Sequence, residues 1–259
     1  MQGLAGNFAK EMLRVEAFLD VMLASVNLAK LPTTGFRSRH PAALAARSLQ
    51  NQLRSAPSVI TVVNDGAYLT VCAEFELTIR ELIVRYVELA VARCPNYQHL
   101  PASMRQWYPR GCGELLVNLS QDKFKHLTQD GIHRSLANCL GSPSKPYTLI
   151  GDAFAHNKRN FWPGEVEGHF NERLGIPKVW QKLSRDGQFQ MSLGTLTAAA
   201  TETVAKSKLD ALLNRRNDIV HRGKSYYTAS DSEVRAAAVY CTELIRALAD
   251  VLVNQLAAI

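Results

Sequence analysis

The run Asn214-Arg215-Arg216-Asn217-Asp218-Ile219-Val220-His221-Arg222-Gly223 holds the residue types in this chain best suited to chemistry. Arginine is a permanent cation whose planar fork of donors matches an anion, and histidine titrates near neutral pH. At 3.6 residues per turn, Leu209, Leu212, Leu213, Ile219 and Val220 share one apolar stripe, and Arg216 falls in its centre. Asn217 and His221 lie four apart beside that stripe, so the amide is expected to hold the imidazole in one orientation. Gly223 offers a helix stop. Of the seven histidines, only His221 has an arginine five residues before it. Two readings are open: a site for handling charge, or a structural arginine buried against a carboxylate with His221 favouring the helix dipole.

The elements that would position this run are helical. A first amphipathic helix spans about residues 7–30, with Phe8, Met12, Val15, Phe18, Leu19, Met22 and Val26 on one face. A polar connection follows, with a short helix expected from Ala42 to Leu53. Val59 to Val63 reads either as a short strand or as the start of the next helix, with Asp65-Gly66 as punctuation. From about residue 67 to 93, Cys72, Phe75, Ile79, Leu82, Ile83, Tyr86 and Ala90 align. Glu76 sits on that apolar side and needs a partner or neutralisation; Arg216 and Arg80 are the natural candidates, and a Glu76–Arg216 contact is expected. A third helix runs from Leu196 to His221. The fourth opens with the capping box Ser230-Asp231-Ser232-Glu233 and carries Val234, Ala237, Ala238, Cys241, Leu244, Ile245, Leu248, Leu252 and Leu256 on one stripe.

Residues 95–199 are rich in proline and glycine and read as a long excursion between the second and third core helices. Short helices are expected at Met104–Trp107, Gln121–Thr128, Gly131–Leu140, Val166–Leu174 and Pro177–Leu183. The cluster from His156 to Trp162 mixes types that contact and stack on bases, a mix that also occurs in ordinary surface loops. These elements predict an all-α, four-helix up-and-down bundle forming one domain over residues 1–259. Its core lies at about 7–30, 66–94 and 200–258.

Composition sets outer limits. The chain is 47% hydrophobic, enough for a substantial core. Thirty basic against 23 acidic residues leave a net charge of +7, which favours polyanionic partners. No apolar run approaches the roughly twenty residues that span a bilayer. The charged start, with Lys10, Glu11 and Arg14, is unlike a secretory leader, so no membrane partner and a cytoplasmic location are expected. Five scattered cysteines predict reduced thiols. Zinc-ligand spacing, a Gly-rich phosphate loop and a Gly-x-Ser-x-Gly elbow are absent, so neither a metal nor a cofactor is expected.

With these residues in view, the chain resembles the HEPN superfamily. Arg216-Asn217-Asp218-Ile219-Val220-His221 is similar to the Arg-polar-x3-His motif at the end of that superfamily's third core helix. Glu76 upstream and the amphipathic helix after the motif fall in the expected order. The resemblance implies a metal-independent endoribonuclease acting as a homodimer with a composite site, used as a toxin or in defence against phage. It implies RNA, such as tRNA or mRNA, as substrate, and an antitoxin or sensor as a further partner.

Carried onto this chain, the resemblance makes His221 the group that moves a proton or orients the 2′-hydroxyl, and Arg216 the cation that neutralises charge on the phosphoryl oxygens. Asn217 would fix the imidazole or contact phosphate, with Glu76 and Asp218 in support. Arg215, Arg222 and Lys224 would guide RNA. Some toxins of this type carry a modified tyrosine two residues after the histidine; Gly223 stands there, with Tyr226 and Tyr227 the nearest tyrosines, so that route of regulation is not implied. The alternative is a non-catalytic dimerisation module that binds RNA, a nucleotide or a protein.

Overall fold

A computed structural model describes residues 1–30, 41–55, 58–141, 146–156, 160–221 and 228–259, without the side chains of 58–60. The fold is all-α. Four long helices dominate: α1 (Gln2–Lys30), α3 (Ser58–Arg93), α10 (Ala198–Val220) and α11 (Asp231–Ala257). Between α1 and α3 lies α2 (Pro41–Ser55). Between α3 and α10 come α4 (Ala102–Asn118), α5 (Gln129–Leu140), α6 (Asp152–Ala155), α7 (Pro163–Gly168), α8 (Val179–Leu183) and α9 (Gly187–Leu193). No strand occurs among the described residues.

Side-chain pairs fix the direction of each long helix. Near opposite ends of α1, Gln2 reaches Asp250 and Asp20 reaches Arg235, so α1 is antiparallel to α11. Arg215 meets Glu233, while the backbone of Ala205 accepts from Tyr240, so α10 is also antiparallel to α11. Asp65 accepts from the N–H of Ala229, whereas Arg93 at the far end of α3 bonds Leu256, so α3 runs parallel to α11. The result is the alternating up-and-down order that the four amphipathic patterns predict.

Those patterns transfer almost intact to the core. All seven apolar residues expected on α3 and all nine on α11 are buried, and Ser230 and Glu233 form the expected capping box. In α1, Phe8, Met12 and Leu19 are buried, but Phe18 is exposed at the margin of the stripe. Val59 to Val63 belong to α3 rather than to a strand. β-Branched residues cost only tenths of a kcal/mol in a helix, and Asp65 is taken up by a distant partner: its carboxylate accepts the Ala229 N–H at 2.8 Å.

The segment between α3 and α10 is packed rather than looped out. Trp180, Tyr108, Phe154, Phe161, Phe170 and Phe189 are fully buried in one hydrophobic cluster continuous with the long helices. The expected helix at 104–107 is part of the longer α4, which continues through Pro109 and Gly111. Of the one expected at 121–128, only a 3-10 turn at Asp122–Phe124 forms. Gly111 permits the closest crossing, since a Cβ there would stand 2.3 Å from the Ala153 carbonyl oxygen. Gly151 similarly faces Val84 of α3, where a Cβ would be 2.7 Å from Cγ1. Together they wedge α6 between α3 and α4, and so deliver His156 to the side of α3.

Candidate functional site

The end of α10 builds the site. Thr197 caps its start, and Leu209, Leu212, Leu213 and Ile219 anchor one face in the core. Arg216 lies on that face half-buried, held there because its neighbours one turn before and after are core residues. Val220 departs from the expected stripe and is 46% exposed, as the helix runs out of cover in its last turn.

Arg216 donates from Nη1 to Oδ1 of Asn217 at 3.1 Å. The same oxygen faces Nδ2 of Asn160 at a long 3.5 Å. Asn217 is thus turned toward the arginine and not toward His221. The imidazole is exposed at the helix C-cap; the tie between the two residues is the backbone bond from the His221 N–H to the Asn217 carbonyl, 2.9 Å. The expectation that the amide orients the imidazole therefore does not hold within one chain. The amide oxygen already faces two donors, although Asn217 and His221, four apart, share a helix face; Arg216 and His221, five apart, point roughly 140° apart.

Glu76 does not form the expected direct pair with Arg216. Its carboxylate lies 3.8 Å from Arg80, one turn along α3, and its Oε1 accepts no hydrogen bond among the described residues. Burial pushes the carboxyl above its ordinary range, opposed first by Arg80 and then by Arg216. Cys72, one turn earlier, is pushed up to about 12, by burial first and then by Glu76, with Arg216 opposing. Arg216 therefore lies within electrostatic reach of this side of α3 while its guanidinium stays outside any ion pair among the described residues.

Two flanking residues enter from the middle segment. Arg80 stacks over the Phe161 ring at 5.8 Å, and Asn160 beside it faces Asn217. Asn160 and Phe161 of the mixed cluster are thus brought beside the motif, and the composition of that cluster was the signal in the sequence that could have found them. Asn157, Lys158 and Arg159 of that cluster lie outside the described residues, as do Arg222, Lys224, Gly223, Tyr226 and Tyr227. Arg215 is placed differently from the expectation that it guides RNA: its side chain is 12% exposed and donates to the Thr228 carbonyl at 2.8 Å and to Glu233 at 3.2 Å. Asp218 is exposed on the α10–α11 side.

Comparison with known families decides the affiliation, because the RiboL-PSP-HEPN model matches residues 44–254. The chain belongs to the RiboL-PSP-HEPN family. The match runs through the whole middle segment as well as α3, α10 and α11, so for this HEPN protein the segment between the long helices is part of what the family describes. HEPN membership supports an RNA-related, nuclease-type function at the level of the class. Among curated proteins and solved structures, nothing matches the chain. All five cysteines of this HEPN chain are buried free thiols, and no described helix is long and apolar enough to cross a membrane.

Proposed function

We propose that this HEPN protein is a metal-independent endoribonuclease whose site centres on Arg216 and His221. The observation that carries the reading is the state of Arg216: it is half-buried on an otherwise apolar face, oriented by Asn217, and paired with no carboxylate among the described residues. A merely structural arginine in that position would be expected against Glu76. This one instead keeps most of its fork for an anion.

In the proposed reaction the RNA 2′-hydroxyl oxygen attacks the adjacent phosphorus and the P–O5′ bond breaks, leaving a 2′,3′-cyclic phosphate and a 5′-hydroxyl. His221 moves the proton or orients the attacking hydroxyl, and Arg216 takes up the charge that grows on the phosphoryl oxygens. Asn217 steadies the guanidinium, and Glu76 holds its field in place from α3, while Asp218, on the α10–α11 side, would act only from a distance. Since Arg216 and His221 diverge within one helix, the site is composite: two copies of the chain face each other across a two-fold axis. The exposed Val220 next to His221 supports an interface there. Activity of this kind suits a toxin or an anti-phage effector acting on tRNA or mRNA under the control of an antitoxin or sensor.

The test is incubation of the purified protein with total RNA and tRNA in EDTA, comparing wild type with Arg216→Ala and His221→Ala. Loss of at least 100-fold in rate is expected for each. Cleavage that survives both substitutions would sink the mechanism. RNA bound but never cut would move the protein to the non-catalytic binding reading, and a strict monomer in solution would remove the composite site.

A further inference from the structure

A cleft of about 660 Å³ opens between α1, α3, the turn at Asp122–Phe124 and the end of α6, away from the α10 motif. That volume is within the range of pockets that hold a nucleotide-sized ligand. Its wall is apolar at Leu4, Val84 and Phe124. Its cations are Arg80 and Arg85 from α3, the latter paired with Glu88, and Lys123 from the turn at Asp122–Phe124. The turn is pinned because Phe124 is buried and packs edge-on against His156, with ring centroids 5.3 Å apart. Lys123 is thereby held with Nζ 3.5 Å from Nδ1 of His156 and 4.9 Å from the Phe124 ring.

Of the three carboxylates that line this cleft, two already have partners. Glu88 is bonded to Arg85 at 2.8 Å, and Asp152 to His126 at 3.0 Å. Glu81 forms no ion pair with Arg80 or Lys123 among the described residues, and the Arg80–Glu76 pair at 3.8 Å is too long for a hydrogen bond. Lys123 is pushed below its ordinary range by burial and then by the charge of Arg80, with Asp152 opposing. Arg80 and Lys123 line one concavity and repel each other, a repulsion that Glu76 and Asp152 offset in part and that a bound anion would relieve further.

The geometry points to a second phosphate subsite, Arg80 with Lys123, that binds a phosphodiester of single-stranded RNA flanking the scissile one. The path between the two sites is short in structural steps: Arg80 covers Phe161, the neighbouring Asn160 faces Asn217, and Asn217 bonds Arg216. A strand following that path would place one phosphate at Arg216 and another between Arg80 and Lys123. This inference rests on the RNA-cleaving reading for its ligand, yet a separate measurement tests it.

The experiment is fluorescence anisotropy with a short dye-labelled single-stranded oligonucleotide carrying 2′-deoxyribose throughout, which cannot undergo 2′-hydroxyl attack. It is titrated with full-length protein over a series of salt concentrations. Lys123 is exposed, so Lys123→Gln should fold; it is expected to weaken binding and to lower the slope of log affinity against log salt by about 0.7, one phosphate contact on a single strand. Lys123→Arg should keep the wild-type slope. A Lys123→Gln slope equal to wild type overturns the subsite, as does failure of the wild-type protein to bind the oligonucleotide. Cleavage of the all-ribose version is followed in parallel. A lowered slope with no cleavage upholds the subsite and removes the nuclease reading; cleavage with an unmoved slope removes the subsite alone.

Discussion

The guanidinium of Arg216 is bonded to the side chain of the very next residue, Asn217, at 3.1 Å, and not to the carboxylate of Glu76. A neutral partner orients the fork without cancelling its charge. That relationship separates a cation kept ready for an anion from one locked into the core.

It can be tested by changing the partner's charge. Asn217→Asp would place a carboxylate where the amide oxygen now accepts, converting the contact into an ion pair. Cleavage is expected to fall by 10- to 100-fold, on the order of 1–3 kcal/mol in the barrier, while the melting temperature holds or rises. A rate assay beside a thermal melt reads both; an active Asn217→Asp enzyme would show that the charge of Arg216 is not what matters.

Arg215, its neighbour, should behave in the opposite way. Its largely buried side chain ties α10 to the start of α11 through Thr228 and Glu233. Arg215→Ala is expected to cost about 1.5–3 kcal/mol, several degrees in melting temperature for a chain of this size, and more than Arg216→Ala costs. Equal melting temperatures for the two variants would count against this division of labour.

At Gly111 the constraint is steric. A methyl group there would stand 2.3 Å from the Ala153 carbonyl oxygen and 2.9 Å from Nε1 of Trp107, which itself donates to that oxygen at 2.9 Å. Gly111→Ala is expected to destabilise by about 1–3 kcal/mol as α6 is pushed away from α4. Because α6 carries the chain toward His156, the same variant should also weaken RNA binding in a salt titration. Denaturant unfolding that matches wild type would show that the crossing relaxes freely.

His169 sets an acid limit. It is buried, its Nδ1 bonds the Glu165 carbonyl at 2.8 Å, and burial, with the charge of Arg173 next, lowers its pKa from 6.5 to about 4. A histidine with a depressed folded pKa favours folding when neutral. Its contribution is complete above the unfolded value and is lost as pH falls through the window from 6.5 toward 4. The loss is of order 3 kcal/mol. His169→Gln should flatten the fall in melting temperature across that window, and an unchanged pH profile would assign the acid sensitivity to another group.

The amphipathic patterns determined a great deal without any coordinates. Burial repeats every 3.6 residues along a helix, so the nine stripe residues of α11, the seven of α3 and the capping box at Ser230 could be read directly. The same periodicity placed Arg216 on an inward face. Tertiary structure decided everything that depends on contacts between distant segments. Asp65-Gly66 reads locally as a turn but sits inside α3, because Asp65 finds its partner at Ala229. Asn217 reads as the partner of His221 but turns to Arg216 and Asn160, because an amide oxygen follows the donors that packing brings to it. Arg80 and Lys123 lie 43 positions apart and share no local pattern; only the wedge of α6 against α3 puts them on one cleft. Local periodicity reports which way a side chain faces, and the packing of one segment on another decides what it meets there.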